Sequence, residues 1–406
     1  MVDETTVLIV GGGQAGAWAA ATLRSEGFEG RVVLAGTEPN LPYERPPLSK
    51  NISTGIHLEQ AYLRTSADYE QLEIDLRTGS EVTRINLADR RAWLRGNERI
   101  EFDKLVLTTG SAVRRLQIPG ADLANVVYLR TVDDALALRL RLLERPRTVI
   151  IGGGFIALEV AANAKAMKCE VTVLEIQAGL MQRVAPPEIG AYFERLHRDR
   201  GVNIHFNSTA AKLEGDKRVE RVVCSDGRRF DADLVVIAVG VIPDTALAAA
   251  SGLAVDNGIV VDEFGRTSHP LVFAAGDVTS HPNCFLGRRI RLECWQNAQN
   301  QAIAAAKAIY GKPTPYREIP WFWSDQYDVN LQIAGLPVRW DETVVRGNMG
   351  SGSFSIFYLR EQRVVGVSAI NCPRDMMVGR RLIEQRAALG VAVLANTDVQ
   401  LKKLLR

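Results

Sequence analysis

At 406 residues, 47% apolar and 24% charged with a net charge of +2, the chain is long enough for two or three domains and ordinary in composition. That balance excludes a disordered or fibrous protein and gives no whole-molecule reason to expect nucleic acid. The start MVDETTVLIV has no basic n-region, the apolar runs are too short or Gly-interrupted to span a bilayer, and the cysteines and histidines lack metal-ligand spacing. A cytoplasmic chain without a metal is the expectation.

The first predicted strand, Thr6 to Val10, runs into GGGQAG, where Gly11, Gly13 and Gly16 take the three positions of a GxGxxG cradle. The first glycine permits the tight turn, the second lets a pyrophosphate approach the backbone, and the third lets helix pack on strand. The helix N-terminus then presents its positive dipole end to the phosphates. A second strand, GRVVLAG, ends near Glu38, whose carboxylate is placed to accept hydrogen bonds from a ribose.

Further along, DKLVLTTGS is an apolar strand ending at Thr109 and Gly110. VIIGGGFIALEVAA then repeats the cradle with Gly152, Gly154 and Ala157, and its second strand, CEVTVLE, leads without a gap to Glu175. Two cradles cannot hold one molecule, so the economical reading is one FAD and one nicotinamide dinucleotide. ADLVVIAVGVIPD carries a strand to Gly240, and HPLVFAAGDV places Asp277 after Gly276, where a carboxylate could accept from the ribityl hydroxyls of a flavin. From residue 319 the pattern changes to short alternating strands, VNLQIAG, ETVVRG, SFSIFYLR and RVVGVSAI, followed by the helical PRDMMVGRRLIEQRAA.

These motifs, with LPYERPPLSK (Leu41 to Lys50), ECWQNAQNQ (Glu293 to Gln301) and PWFWSDQYD (Pro320 to Asp328), are those of a known group. Over essentially its whole length the chain resembles the FAD-dependent NADH:ferredoxin reductases of bacterial oxygenase systems, the putidaredoxin-reductase and biphenyl-dioxygenase-reductase group. The resemblance implies an α/β chain of two Rossmann-like, glutathione-reductase-like domains and a C-terminal α+β domain that covers the flavin. The FAD domain is expected at 1–115 and 242–318, the NAD domain at 116–241, and the C-terminal domain at 319–406.

It also implies site residues. Toward FAD stand Gly11, Gly13, Gln14, Ala15, Gly16, Glu38, Arg45, Thr109, Gly110, Gly276, Asp277, Glu293, Trp295 and Trp321, the two tryptophans walling the ring from water. Toward NADH stand Gly152, Gly154, Phe155, Ile156, Glu159 and Glu175, with Ile176 after Glu175 offering no cation to a 2′-phosphate, and Arg183 and Gly240 are further cofactor-binding candidates. Lys50, by itself a solvated loop lysine, becomes an active-site cation that stabilises negative charge developing on the flavin. Glu159, expected in the first turn of its helix, is either an acid placed by the helix dipole or a group acting with Lys50. Trp323 is expected to be packing. Departures from the group's pattern are Thr37 ahead of Glu38 and Cys294 beside the tryptophan.

The implied activity carries electrons from NADH through FAD to a [2Fe–2S] ferredoxin of a dioxygenase or cytochrome P450 system. Arg288, Arg289, Arg291, Arg380 and Arg381 are candidate docking residues for that acidic partner. A disulfide reductase or NADH oxidase on the same fold needs a redox cysteine, which LPYERPPLSKNISTG does not contain. An apoptosis-inducing-factor-like flavoprotein with little turnover is the non-enzymatic alternative.

Overall fold

In the computed structural model, which describes residues 5–336 and 339–405, the first cradle's strand Thr6–Val10 is the centre of a five-stranded parallel sheet. The order is Val272–Ala274, Lys104–Leu107, Thr6–Val10, Arg31–Ala35, Ile74–Arg77. Both faces of such a sheet are covered, so its strands read as unbroken apolar runs. Val7, Leu8 and Ile9 are accordingly buried. The cradle helix Gln14–Glu26 packs against the helix Trp295–Ile309 through alanines, among them Ala15, Ala19, Ala302 and Ala305, whose small side chains let the two backbones come close.

The second sheet has the same logic. Its order is Val202–His205, Glu170–Leu174, Arg147–Ile151, Leu234–Ile237, Val126–Val127, again parallel throughout. The expected C-terminal strands also form. Val329–Ala334, Glu342–Asn348, Ser353–Arg360 and Arg363–Ile370 lie in one antiparallel sheet on which the helix Pro373–Glu384 packs. One strand was not expected there. Trp321–Gln326, read from sequence as an aromatic flavin-facing segment, is the edge strand of this sheet and pairs with Val329–Ala334.

The chain divides into two units. One comprises residues 1–44, 57–112 and 242–318, and the other 45–56, 113–241 and 319–406. The second unit therefore includes the PPLSK segment, the second cradle and the C-terminal sheet. Its core runs continuously from Leu158 and Val160 on the cradle helix to Leu331 and Ile333 on the antiparallel sheet. Among the described residues no helix is long and apolar enough to cross a membrane.

Candidate functional site

The two cradles are built alike. Gly11 and Gly152 both adopt left-handed φ, +117° and +116°, and an added Cβ would meet the Thr108 or Ala238 carbonyl oxygen at 2.2 or 2.4 Å. Only glycine permits that turn. The second glycines differ in kind: a Cβ on Gly13 or Gly154 would meet nothing within 4 Å. Each cradle thus leaves open space at the position where a pyrophosphate approaches, at the start of a helix whose first N–H groups are unsatisfied. The donor set fits a dinucleotide.

In the first unit, further candidates gather around this cradle. Gln14 Nε2 donates to Trp295 O at 3.2 Å, and a Cβ on Gly276 would lie 3.0 Å from Ala15 Cβ. Gln301 Oε1 accepts from Gly276 N and Thr279 Oγ1, both at 2.8 Å, which fixes the loop carrying Asp277. Gly110 takes left-handed φ, and Thr109 Oγ1 donates to Asp244 O at 2.6 Å. Glu38 lies beyond Gly36, and its Oε2 accepts from Tyr43 Oη at 2.5 Å. Cys294, given no role from sequence, caps the helix Trp295–Ile309 by accepting from Asn297 N at 3.4 Å.

In the second unit, Glu175 is buried and its Oε1 accepts from Gln177 N at 2.8 Å. Arg183 Nη2 lies 3.6 Å from where a Gly240 Cβ would be, so this pair is brought together. Phe155 and Ile156 open the cradle helix Phe155–Ala166, with Ile156 exposed.

Glu159 corrects the expectation. It lies in the second turn of that helix, beyond the range where the dipole acts strongly, and is 2% exposed. What holds it is a set of donors. Lys50 Nζ and Ser324 Oγ donate to Oε1 at 2.5 and 2.6 Å, and Ser49 Oγ donates to Oε2 at 2.5 Å. Lys50 also lies 3.6 Å from Asp325 Oδ2 and 5.5 Å from the Trp323 ring centroid. Trp323 stacks on Trp321 with ring centroids 5.2 Å apart. A turn further along, Asn163 Nδ2 donates to the backbone carbonyls of Ser49 and Lys50, and its Oδ1 accepts from Ser53 N. These bonds fasten the PPLSK segment to the cradle helix. Ser49, Asn163 and Ser324 were not singled out from sequence, although Ser49 and Ser324 lie inside motifs that were.

Several candidates are engaged elsewhere. Arg45 Nη1 donates to Arg130 O at 2.6 Å. Exposed Glu293 pairs with Arg291, and Arg289 donates to the carbonyls of Val261 and Ser280 at 2.5 Å. Arg380 sits 5.6 Å from the centroid of the Trp321 ring. Arg288 and Arg381 are exposed.

The sequence matches the pyridine nucleotide-disulphide oxidoreductase family over residues 5–302 and the reductase C-terminal family over residues 321–405. It is 41% identical to rhodocoxin reductase of Rhodococcus erythropolis, covering 98% of this chain and 93% of that one. It is 42% identical to the ferredoxin–NAD(+) reductase component of an anthranilate 1,2-dioxygenase system from Burkholderia cepacia, covering 98% of each. The fold is similar to the reductase chain of a covalent putidaredoxin reductase–putidaredoxin complex, with a TM-score of 0.95 and 38% identity over 98% of each chain.

Proposed function

This chain belongs to the pyridine nucleotide-disulphide oxidoreductase family, and from that membership we propose that it carries electrons from NADH, through FAD, to a [2Fe–2S] ferredoxin serving an oxygenase. The observation that carries the reading is the doubled cradle, with an ion pair built onto the helix of the second copy. Two relatives are named as reductases of rhodocoxin and of an anthranilate dioxygenase system, which indicates the class of acceptor.

Bound FAD accepts electrons in pairs and releases them singly, matching a hydride donor to a one-electron cluster. The first cradle would hold it through Gly11, Gly13 and the helix start at Gln14, with Glu38 toward a ribose and Asp277 toward the ribityl chain. The second cradle would hold NADH, with the Glu175 carboxylate accepting from ribose hydroxyls and repelling a 2′-phosphate. Lys50 supplies the fixed positive charge. Its side chain is 12% exposed and its Nζ is held by Glu159, so little reorganisation is needed when charge develops nearby. Glu159 in turn orients Lys50, and neither side chain forms a covalent bond.

For partner docking, Arg288 and Arg381 remain the candidates among the arginines named, since Arg289, Arg291 and Arg380 have partners within the chain.

The test is stopped-flow reduction of the flavoprotein by NADH, followed by reoxidation by a panel of [2Fe–2S] ferredoxins. Reoxidation accelerated by one of them, and falling steeply between 0.01 M and 0.15 M salt as the Debye length contracts from ~30 to ~8 Å, is the expected result. NADH turnover unaffected by every ferredoxin would sink the reading.

A further inference from the structure

Glu159 is the end of a longer series of hydrogen bonds, none of whose other members sequence reasoning assigned. Ser324 donates to Glu159 Oε1 at 2.6 Å, Gln326 Nε2 donates to Ser324 Oγ at 3.0 Å, Gln326 Oε1 meets His197 Nε2 at 2.8 Å, and His197 Nδ1 meets Tyr327 Oη at 3.1 Å. Ser324, Gln326 and His197 are all 0% exposed. The alternation of the edge strand explains the placement: Ser324 and Gln326 share its buried face, while Trp321, Trp323 and Asp325 lie on the other.

The direction of the series follows from its end. A carboxylate only accepts, so Ser324 commits its one proton to Glu159 and must itself accept. That fixes the Gln326 amide with nitrogen toward Ser324 and oxygen toward His197. The reverse orientation would set two acceptors against each other. Gln326 Oε1 in turn requires a proton on His197 Nε2, and a neutral imidazole then has an acceptor at Nδ1 for the Tyr327 hydroxyl. Burial favours that neutral ring, pushing His197 down to about 4, with Arg200 acting in the same direction and the Gln326 bond against it.

Tyr327 adds an independent sign. It opens the turn between two strands at a left-handed φ of 57°, a conformation that favours glycine or asparagine over a ring-bearing residue. The tyrosine at this strained position places its ring 4.4 Å from the Arg200 guanidinium and its hydroxyl on His197.

We propose that Tyr327, His197, Gln326 and Ser324 form a one-way relay of orientation that aims the Glu159 carboxylate at Lys50, with His197 as the positioning residue whose Nε2–H tautomer sets the direction. Its consequence for hydride transfer rests on the function proposed above, but the relay itself does not. Amide-linked, it orients charge and does not conduct protons. Chains of this kind polarise one another inside a protein, so a break at one end is felt at the other.

Nitrogen-15 NMR of histidine-labelled protein, with the His197 signal assigned through its loss in His197→Gln, reads the tautomer directly. The Nε2–H form at neutral pH supports the relay; the Nδ1–H form overturns it, whatever the protein's activity. In NADH reduction of the flavin, His197→Leu should lower the limiting rate about fivefold, the worth of one hydrogen bond, with half-saturation by NADH unchanged. His197→Gln, whose amide can still donate to Gln326, should recover to within about twofold of the parent. Adding His197→Leu to Ser324→Ala should slow the reaction no further than Ser324→Ala alone. Equal rates for His197→Leu and His197→Gln would overturn the proposal. A parent that NADH does not reduce would instead remove the function reading, with the tautomer still deciding the relay.

Discussion

In both cradles the N–H of the first glycine donates across to the last residue of the neighbouring strand at 2.8 Å, Gly11 to Ala35 and Gly152 to Leu174. Beyond that shared turn the two diverge. In the first, the Thr108 hydroxyl donates to the carbonyls of Val10 and Gly11, and a Cβ on Gly16 would meet Gly11 O at 2.0 Å. In the second, Ala238 brings no hydroxyl, and the third position accepts the buried methyl of Ala157. The helix leaving the first cradle is alanine-rich and serves packing. The helix leaving the second carries Glu159 and Asn163, the groups that hold Lys50. One backbone device is thus followed once by a packing helix and once by a helix that holds a buried ion pair, which in the proposed function joins ligand binding to the charged groups of the reaction.

The largest effect expected from breaking this division is at Lys50. Removing a preorganised charge typically costs ~10²–10³ in rate. Lys50→Met should therefore slow single-turnover flavin reduction by about that factor while FAD stays bound, since the first cradle is untouched. Because the variant also strands a buried carboxylate, Lys50→Met with Glu159→Gln is the companion, restoring melting temperature but not rate. A parental rate in either would leave Lys50 a structural partner of Glu159 with no part in flavin reduction.

Acid should probe each unit through a different histidine. His281, in the first unit, and His197, in the second, are both pushed by burial from 6.5 to about 4. A depressed histidine binds its proton more readily in the unfolded chain. Stability is therefore intact above about 6.5, falls with pH through the window, and levels below about 4, by roughly 3 kcal/mol per residue. His281 stacks edge-on against Tyr316 at 5.3 Å, and neither of its ring nitrogens has a hydrogen-bond partner among the described residues. His281→Phe should accordingly flatten the fall in melting temperature between pH 6.5 and 4 at little cost at pH 7. An unaltered acid limb would refute this.

The third glycine position sharpens the comparison with smaller steps. Gly16→Ala must displace the helix or the Gly11 carbonyl, so about 1–3 kcal/mol of stability and much of the FAD retention should be lost. Ala157→Gly relieves no clash and should cost about 1–2 kcal/mol through backbone freedom and the lost buried methyl, with FAD retention unchanged. Thermal melts with and without added FAD separate the two, and equal losses would mean that the cradles pack alike.

Much of this was legible in the sequence, and the reason is local. Glycine turns, apolar strands and the following acids are set by neighbours in the chain, so the central strands of both parallel sheets and four C-terminal strands could be read directly, while the outer strands Ile74–Arg77, Val202–His205 and Val126–Val127 were not. Lys50 and Glu159 were named, but not the donors between them. Ser49 and Ser324 come together only when the PPLSK segment and the edge strand both reach the cradle helix, and nothing in their own neighbourhoods marks that. His197 had no signal at all, because a histidine on an amphipathic helix looks the same whether it packs or positions. The dipole explanation of Glu159 failed for a simpler reason: the helix begins at Phe155, a turn before the acid.

The smallest effect concerns Glu38 and Glu175, the two acids proposed to meet ribose. Strand register pairs Val10 with Ala35 and Ile151 with Leu174, so Gly36 stands where Glu175 stands in the other cradle. Glycine fits there because a Cβ on Gly36 would lie 2.9 Å from Gly12 Cα, which moves the first acid two residues on, to Glu38. Glu175 is then oriented by the backbone N–H of Gln177, which no side-chain change short of proline removes, and Glu38 by the Tyr43 hydroxyl. Tyr43→Phe should release Glu38 at the cost of one hydrogen bond, ~1 kcal/mol, and weaken FAD binding about fivefold. NADH half-saturation, assigned in the proposed function to Glu175, should not change. Equilibrium titration of the apoprotein with FAD measures the first and steady-state kinetics the second. An FAD affinity equal to the parent's would show that Glu38 does not hold the ribose, and that the Thr37 displacement has cost the first cradle its acid.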